Sequence, residues 1–211
     1  MKKPADKLFS QEEMSRIKDA VCVAESGTTG EIVVMVVDYS DTYPEAATLG
    51  GVIVGSFLSL LTVTTFFDSS LWEFLPLSFI LFFPAVLIFR KIPVLKSALI
   101  SRARKEDAVR RRALAAFYEK GLYKTRDNTG VLFFLSVLER KVWVLADSGI
   151  ISKIDQATLN TFAGGITLGI REGRACQAVF ESVDRMGRLL AEHFPVKPDD
   201  TDELANDVIQ E

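Results

Sequence analysis

Residues Leu49–Phe89 read LGGVIVGSFLSLLTVTTFFDSSLWEFLPLSFILFFPAVLIF, and this stretch decides how the rest of the chain is read. It holds two apolar runs, Leu49–Phe67 and Leu71–Phe89, with little more than Asp68-Ser69-Ser70 between them. About 20 residues of helix at 1.5 Å per residue cross a hydrocarbon core, so each run is long enough. Phe57-Leu58-Ser59-Leu60-Leu61 and Phe79-Ile80-Leu81-Phe82-Phe83 show no polar face, which argues against a core hairpin of a soluble protein. Pro76 and Pro84 fall inside the second run, where a membrane helix tolerates them. The reading is a transmembrane helical hairpin over about 47–91, with spans of about 49–67 and 71–89. A polar fragment precedes it and a larger one follows, so both are expected on the same side of the bilayer.

Which side is read from the basic residues near the membrane ends. After the second run come Arg90, Lys91, Lys96, Arg102, Arg104, Lys105, Arg110, Arg111 and Arg112, whereas the connecting segment offers only Asp68 and Glu73. The expectation is therefore a two-pass protein of the inner (cytoplasmic) membrane, with both termini and the polar domain cytoplasmic. Met1-Lys2-Lys3 is followed by Pro4, Asp6 and Lys7 where a secretory signal would need an apolar core. The residues Arg102, Arg104, Lys105, Arg110, Arg111 and Arg112 form a basic face suited to anionic lipid heads, or else to solvent.

The flanking segments build one further domain. Ser10-Gln11-Glu12-Glu13 is a capping box opening a helix to about Ser26, with Met14, Ile17, Val21 and Ala24 on one stripe. Glu31-Ile32-Val33-Val34-Met35-Val36-Val37 is a β-branched run of the kind buried on both faces of a sheet. After the hairpin, a helix is expected over about Ser97–Lys120, with Val109, Ala113, Ala116 and Phe117 inward. Val131–Val137 and Lys141–Ala146 then form a strand hairpin across Leu138-Glu139-Arg140. Helices over about Gln156–Arg171 and Gly173–His193 follow, and residues 195–211 read as an extended acidic tail carrying Asp199, Asp200, Asp202 and Glu203. The fold class is α/β: an α/β/α sandwich around a small mixed sheet, with the hairpin inserted after the first strand. Its two parts are 9–41 and 97–194.

Several reaction classes are excluded by composition. His193 is the only histidine, which leaves no Ser-His-Asp hydrolase and no two-histidine zinc site within the chain. Cys22 and Cys176 lie far apart and read as small buried apolar residues. A net charge of −3 gives nothing that suggests a nucleic acid. There is no phosphate-binding glycine loop, because Gly164-Gly165 and Gly169 follow no strand. What remains is a set of polar residues at strand ends: Glu31, Asp38, Thr125, Arg126, Asp127, Glu139 and Asp147. Asp147, before Ser148-Gly149, either caps a helical turn or shares a divalent metal with Asp38 or Glu31 as further oxygen ligands. Arg126, with Thr125 beside it, either binds an anion or fixes its loop by pairing with Glu139 or Asp147. Glu139 itself sits in a turn that reads as solvated surface.

Taken in order, Thr28-Thr29-Gly30-Glu31-Ile32, Thr125-Arg126-Asp127-Asn128-Thr129-Gly130-Val131-Leu132, Leu138-Glu139-Arg140-Lys141-Val142 and Ala146-Asp147-Ser148-Gly149-Ile150 resemble the TPM-domain family. The ending Glu192-His193-Phe194-Pro195, with Pro198-Asp199-Asp200 and Glu203-Leu204, is similar to its membrane-anchored bacterial branch. Leu159 stands where the family pattern leads to a tryptophan. The resemblance implies an α/β/α sandwich, calcium or another divalent cation as the one cofactor to consider, and either of two functions. One is a non-enzymatic accessory or assembly factor for a membrane complex, with the lipid bilayer and a membrane protein as partners. The other is a weak metal-dependent phosphatase. A third reading, taken from the basic helix, is a lipid-sensing scaffold.

Overall fold

A computed structural model describes residues 8–66, 71–197 and 208–210. The chain forms two compact units, one from residues up to Ser40 together with Glu106 onward, the other from Asp41–Lys105.

The first unit is organised by the apolar run that the sequence marks as a buried strand. It forms β1 (Glu31–Val37), and all seven residues are buried. β2 (Gly130–Ser136) lies parallel to it from Glu31↔Gly130 to Val37↔Ser136, and β3 (Lys141–Ala146) returns antiparallel to β2. A fourth strand, β4 (Ile209–Gln210), pairs parallel to β1 on its other side, giving the order β3-β2-β1-β4. Alternation along β1 sends Ile32, Val34 and Val36 to one face and Val33, Met35 and Val37 to the other. On the first face they join helices α1 (Gln11–Glu25), α7 (Gln156–Arg171) and α8 (Ala175–His193) through Ile17, Leu159, Phe162, Val183 and Met186. On the second they meet α5 (Arg102–Glu119) through Val109, Ala113, Ala116 and Phe117. Parallel neighbours need a crossover, and α5 lies in it, covering the second face. The result is an α/β/α sandwich around a mixed sheet, with two long apolar helices following its first strand.

The local signals act as their chemistry dictates. Ser10 Oγ accepts from Glu13 N–H at 3.2 Å while Glu13 Oε2 accepts from Ser10 N–H at 2.8 Å, a reciprocal cap. Two expectations need correction. The helix expected over Ser97–Lys120 is two, α4 (Pro93–Leu99) and α5, because Ile100 is extended and Ser101 Oγ accepts from Arg104 N–H as a new cap. In the tail, expected to be extended, Ile209–Gln210 joins the sheet as a strand. Residues 198–207, with Asp199, Asp200, Asp202 and Glu203, lie outside the described residues, as does Asp68-Ser69-Ser70. Cys22 is exposed, whereas Cys176 is buried, and burial followed by the nearby Glu13 pushes its thiol up.

The second unit is the hairpin, α2 (Pro44–Phe66) packed on α3 (Leu71–Lys91). Both helices are long and apolar enough to cross a membrane. Gly50 faces Phe89, Gly51 faces Val86 and Gly55 faces Phe82, so the helices run antiparallel. A Cβ on Gly55 would lie 3.0 Å from the Phe82 backbone, so any side chain there must push that backbone away. Ser59 Oγ donates to Phe74 O at 2.9 Å, keeping its hydroxyl satisfied among apolar side chains. At the base Lys96 Nζ donates to Thr42 O at 3.1 Å and Arg104 Nη2 to Asp41 Oδ2, so the chain leaves this unit close to where it enters.

Candidate functional site

Segments distant in sequence converge where β1 and β2 begin. Glu31 N–H donates to Thr129 O, Thr129 Oγ1 to Thr29 O at 2.8 Å, and Thr129 N–H to Thr125 Oγ1 at 2.9 Å. Asp147 N–H donates to Gly130 O and Gly149 N–H to Asn128 O. Thr28 Oγ1 donates to Phe194 O at 2.6 Å, and Lys197 Nζ to Asp127 Oδ2 at 2.6 Å. Asn128 holds φ at 56°, a left-handed value asparagine accepts. Gly149 rests on the same loop, and a Cβ there would meet the Asp127 and Asn128 carbonyls at 2.6 Å each. The chemistry of this edge is loop closure: Thr125, Thr129 and Gly149 are consumed in fixing backbone.

The three carboxylates considered for a metal divide between the two ends of the sheet. Glu31 and Asp147 lie at this end, on strands separated by β2. Asp38 follows Val37 at the other end, roughly 20 Å away along seven extended residues. No group of three or more His, Cys, Asp or Glu among the described residues can hold a metal ion. Asp147 Oδ1 accepts from Ser148 N–H at 2.6 Å as the cap of α6 (Ser148–Ile151), while Oδ2 is buried without a hydrogen-bond partner among the described residues.

Arg126 and Glu139 are likewise at opposite ends of β2, so they do not pair. Arg126 is exposed beside the Asp127–Asn128 loop. Glu139 is not surface but 6% exposed, and it organises the end where β1 leaves the sheet. Its Oε1 accepts from Ser40 N–H at 3.0 Å, its Oε2 accepts from the Ser136 hydroxyl in a short hydrogen bond, and Ser40 Oγ donates to Ser136 Oγ at 2.8 Å. Turn position alone gives no hint of this burial. The signal in sequence is the trio of Ser40, Ser136 and Glu139 at the ends of neighbouring strands, legible only once β1 and β2 are known to be parallel.

The basic residues after the hairpin are mostly engaged within the chain. Arg104 Nη2 donates to Asp41 Oδ2 at 2.6 Å and its Nε to Glu45 Oε1 at 3.0 Å, with the guanidinium 5.1 Å from the buried Tyr43 ring centre. Burial pushes the Asp41 carboxyl up, but the Arg104 hydrogen bond and the Tyr43 backbone outweigh it and hold the group below its ordinary range. Tyr43 adopts φ of 49° directly before Pro44, a strained turn that this clamp holds. Lys105 Nζ donates to Ser97 Oγ, Arg111 pairs with Asp107, and Arg112 pairs with Glu119. Arg102 and Arg110 point to solvent. The Arg104 clamp is legible in the sequence as acids before the first apolar run and bases after the second, two flanks that a hairpin brings together.

These features define a class of architecture, an α/β/α sandwich with an apolar two-helix insertion after its first strand. The NMR structure of BA42 protein from the psychrophilic bacterium Bizionia argentinensis sp. nov. has a similar fold, with a TM-score of 0.60 over 96% of this chain and 95% of that chain at 21% identity. At this identity the likeness is one of fold. No family model matches the chain, and no curated protein matches it.

Proposed function

We propose that the protein is a TPM-like accessory factor, non-enzymatic, whose α/β domain is tethered to the bilayer by its inserted hairpin and assists a membrane complex. The observation that carries this is the outer surface of the hairpin. Phe57, Phe66, Leu71, Phe79 and Ile80 are each more than 60% exposed. A large side chain gains about 1.5–3 kcal/mol on leaving water, so such a surface needs lipid or protein around it. The basic segment after α3, set against Glu73 alone near the other end among the described residues, supports a two-pass topology. In it both termini and the α/β domain lie on the cytoplasmic side of the inner membrane. Engagement of the loop-edge hydroxyls in backbone hydrogen bonds supports a binding role over a catalytic one. Purification in mild detergent tests this: a stoichiometric membrane protein should accompany the chain, and recovery of the chain alone under several detergents contradicts the accessory reading.

A second reading, a divalent-metal-dependent phosphatase-like hydrolase, draws on one observation, the buried Asp147 Oδ2 without a hydrogen-bond partner among the described residues. It requires phosphate-ester turnover with added Ca²⁺, Mg²⁺ or Mn²⁺ that Asp147→Asn abolishes; turnover that is absent or insensitive to this change removes it.

A further inference from the structure

Among the described residues, one side of the first strand is only partly paired. β1 spans seven buried residues, yet among the described residues its outer neighbour β4 spans only Ile209–Gln210. Because Glu31 N–H donates toward β2, odd-numbered residues of β1 direct their backbone groups to β2 and even-numbered ones direct theirs outward. Two devices meet that outer row. Ile32 N–H donates to Glu25 Oε1 at 2.7 Å, a side chain standing in for a strand. Farther along, Met35 and Val36 pair with Ile209 and Gln210. The resident segment sends a side chain into each layer, Val208 against the α1, α7 and α8 side and Ile209 against the α5 side. Gln210 fits poorly, since its Nε2 is buried without a hydrogen-bond partner among the described residues. An incompletely paired edge is a template for added strands, and extended peptides bind in this way.

We propose that the outer edge of β1 is a strand-accepting site for an extended polypeptide segment with aliphatic residues at the places of Val208, Ile209 and Gln210. In this chain its own residues 208–210 occupy it as a displaceable strand. Main-chain pairing supplies the attraction, and the two apolar layers select the side chains. An aliphatic residue at the Gln210 place removes the buried unsatisfied amide, so a partner segment so built competes with the resident one. This names how an accessory protein holds its partner and rests on that reading only for the partner's existence; the test uses a peptide instead, so the two can fail separately.

The full chain in detergent is compared with its Ile209→Asp variant by residue-resolved amide exchange. Exchange at Val36 should quicken about tenfold or more while Met35, which faces β2, keeps its protection. A seven-residue peptide of sequence 205–211 carrying Gln210→Val should restore Val36 protection, the unaltered sequence should restore it less, and one carrying Ile209→Asp should not. In the full chain Gln210→Val alone should slow Val36 exchange, a readout that needs no destabilised variant. The proposal is overturned if Met35 quickens together with Val36, if no peptide restores protection, or if Gln210→Val leaves Val36 unchanged.

Discussion

Replacing Glu139 by alanine should destabilise the α/β domain more than its turn position suggests. The carboxylate is nearly enclosed and accepts from both Ser40 N–H and the Ser136 hydroxyl. The hydroxyl can turn toward Ser40 Oγ, 2.8 Å away, but the Ser40 N–H has no such freedom. A buried donor left without its acceptor costs about 1–3 kcal/mol, and losing a charged acceptor adds to that, so Glu139→Ala should cost about 2–4 kcal/mol. For a chain of this size that is a fall of roughly 5–15 °C in Tm. Glu139→Gln retains the Oε1 acceptor for Ser40 and should cost about 1 kcal/mol, as should Ser136→Ala. The Glu139→Ala/Ser136→Ala pair should cost less than the sum, because the Ser136–Glu139 hydrogen bond is lost in each single change and counted only once in the pair. Thermal unfolding of the full chain in detergent, followed by near-ultraviolet circular dichroism, measures the series. If Glu139→Ala lies within about 0.5 kcal/mol of the parent, the range of ordinary surface changes, the network does not hold this end of the sheet.

Glycines separate into those closely packed and those merely present. Gly55→Val must push α2 off the Phe82 backbone and should weaken the hairpin by about 1–3 kcal/mol, read by cross-linking efficiency between cysteines placed on the two helices. Gly164→Ala, in the middle of α7 with open space around it, should instead stabilise by about 0.5–1 kcal/mol in thermal unfolding. The Asp41 carboxyl titrates below its ordinary 3.8 in the fold, so its contribution is present above that pH and is lost as pH falls through the lower folded value. Acid titration below about pH 4 should accordingly loosen the hairpin base of the parent, and Asp41→Asn should flatten that dependence, with Tyr43 fluorescence or exchange at Tyr43 as the probe. Replacing residues 42–96 by a short Gly/Ser linker should leave a folded, soluble α/β domain, since Lys96 Nζ reaches Thr42 O; an unfolded product by circular dichroism and exchange would show the insertion to be integral.

Elements whose signals are local were legible in the sequence. Ser10 with Glu13 announces α1, the run from Glu31 to Val37 announces a strand buried on both faces, and uninterrupted apolar runs announce the hairpin. Elements that depend on neighbours were not. Ile209–Gln210 is too short to carry a period, and only the partner edge of β1 makes it a strand. Ile100–Ser101 reads as helix interior in the sequence, whereas Ser101 caps a second helix start. The site shows the same division. The sequence marks Glu31, Asp38, Arg126, Glu139 and Asp147 as strand-end residues but carries no statement of which end. The parallel register Glu31↔Gly130 decides it, setting Arg126 and Asp147 roughly a strand length from Asp38 and Glu139. Glu139 turned from solvated turn residue to buried anchor for the same reason, because its partners Ser40 and Ser136 sit on adjacent strand ends.

The hairpin should cross a bilayer with both flanking segments on one side. Single cysteines at Ser69, at Ser26 and at Ser152, in a chain with Cys22 and Cys176 replaced by serine, can be labelled in sealed inverted and right-side-out vesicles with an impermeant maleimide. Ser69→Cys should label only from the outer side, and the other two only from the cytoplasmic side. Labelling of all three from the same side would contradict it.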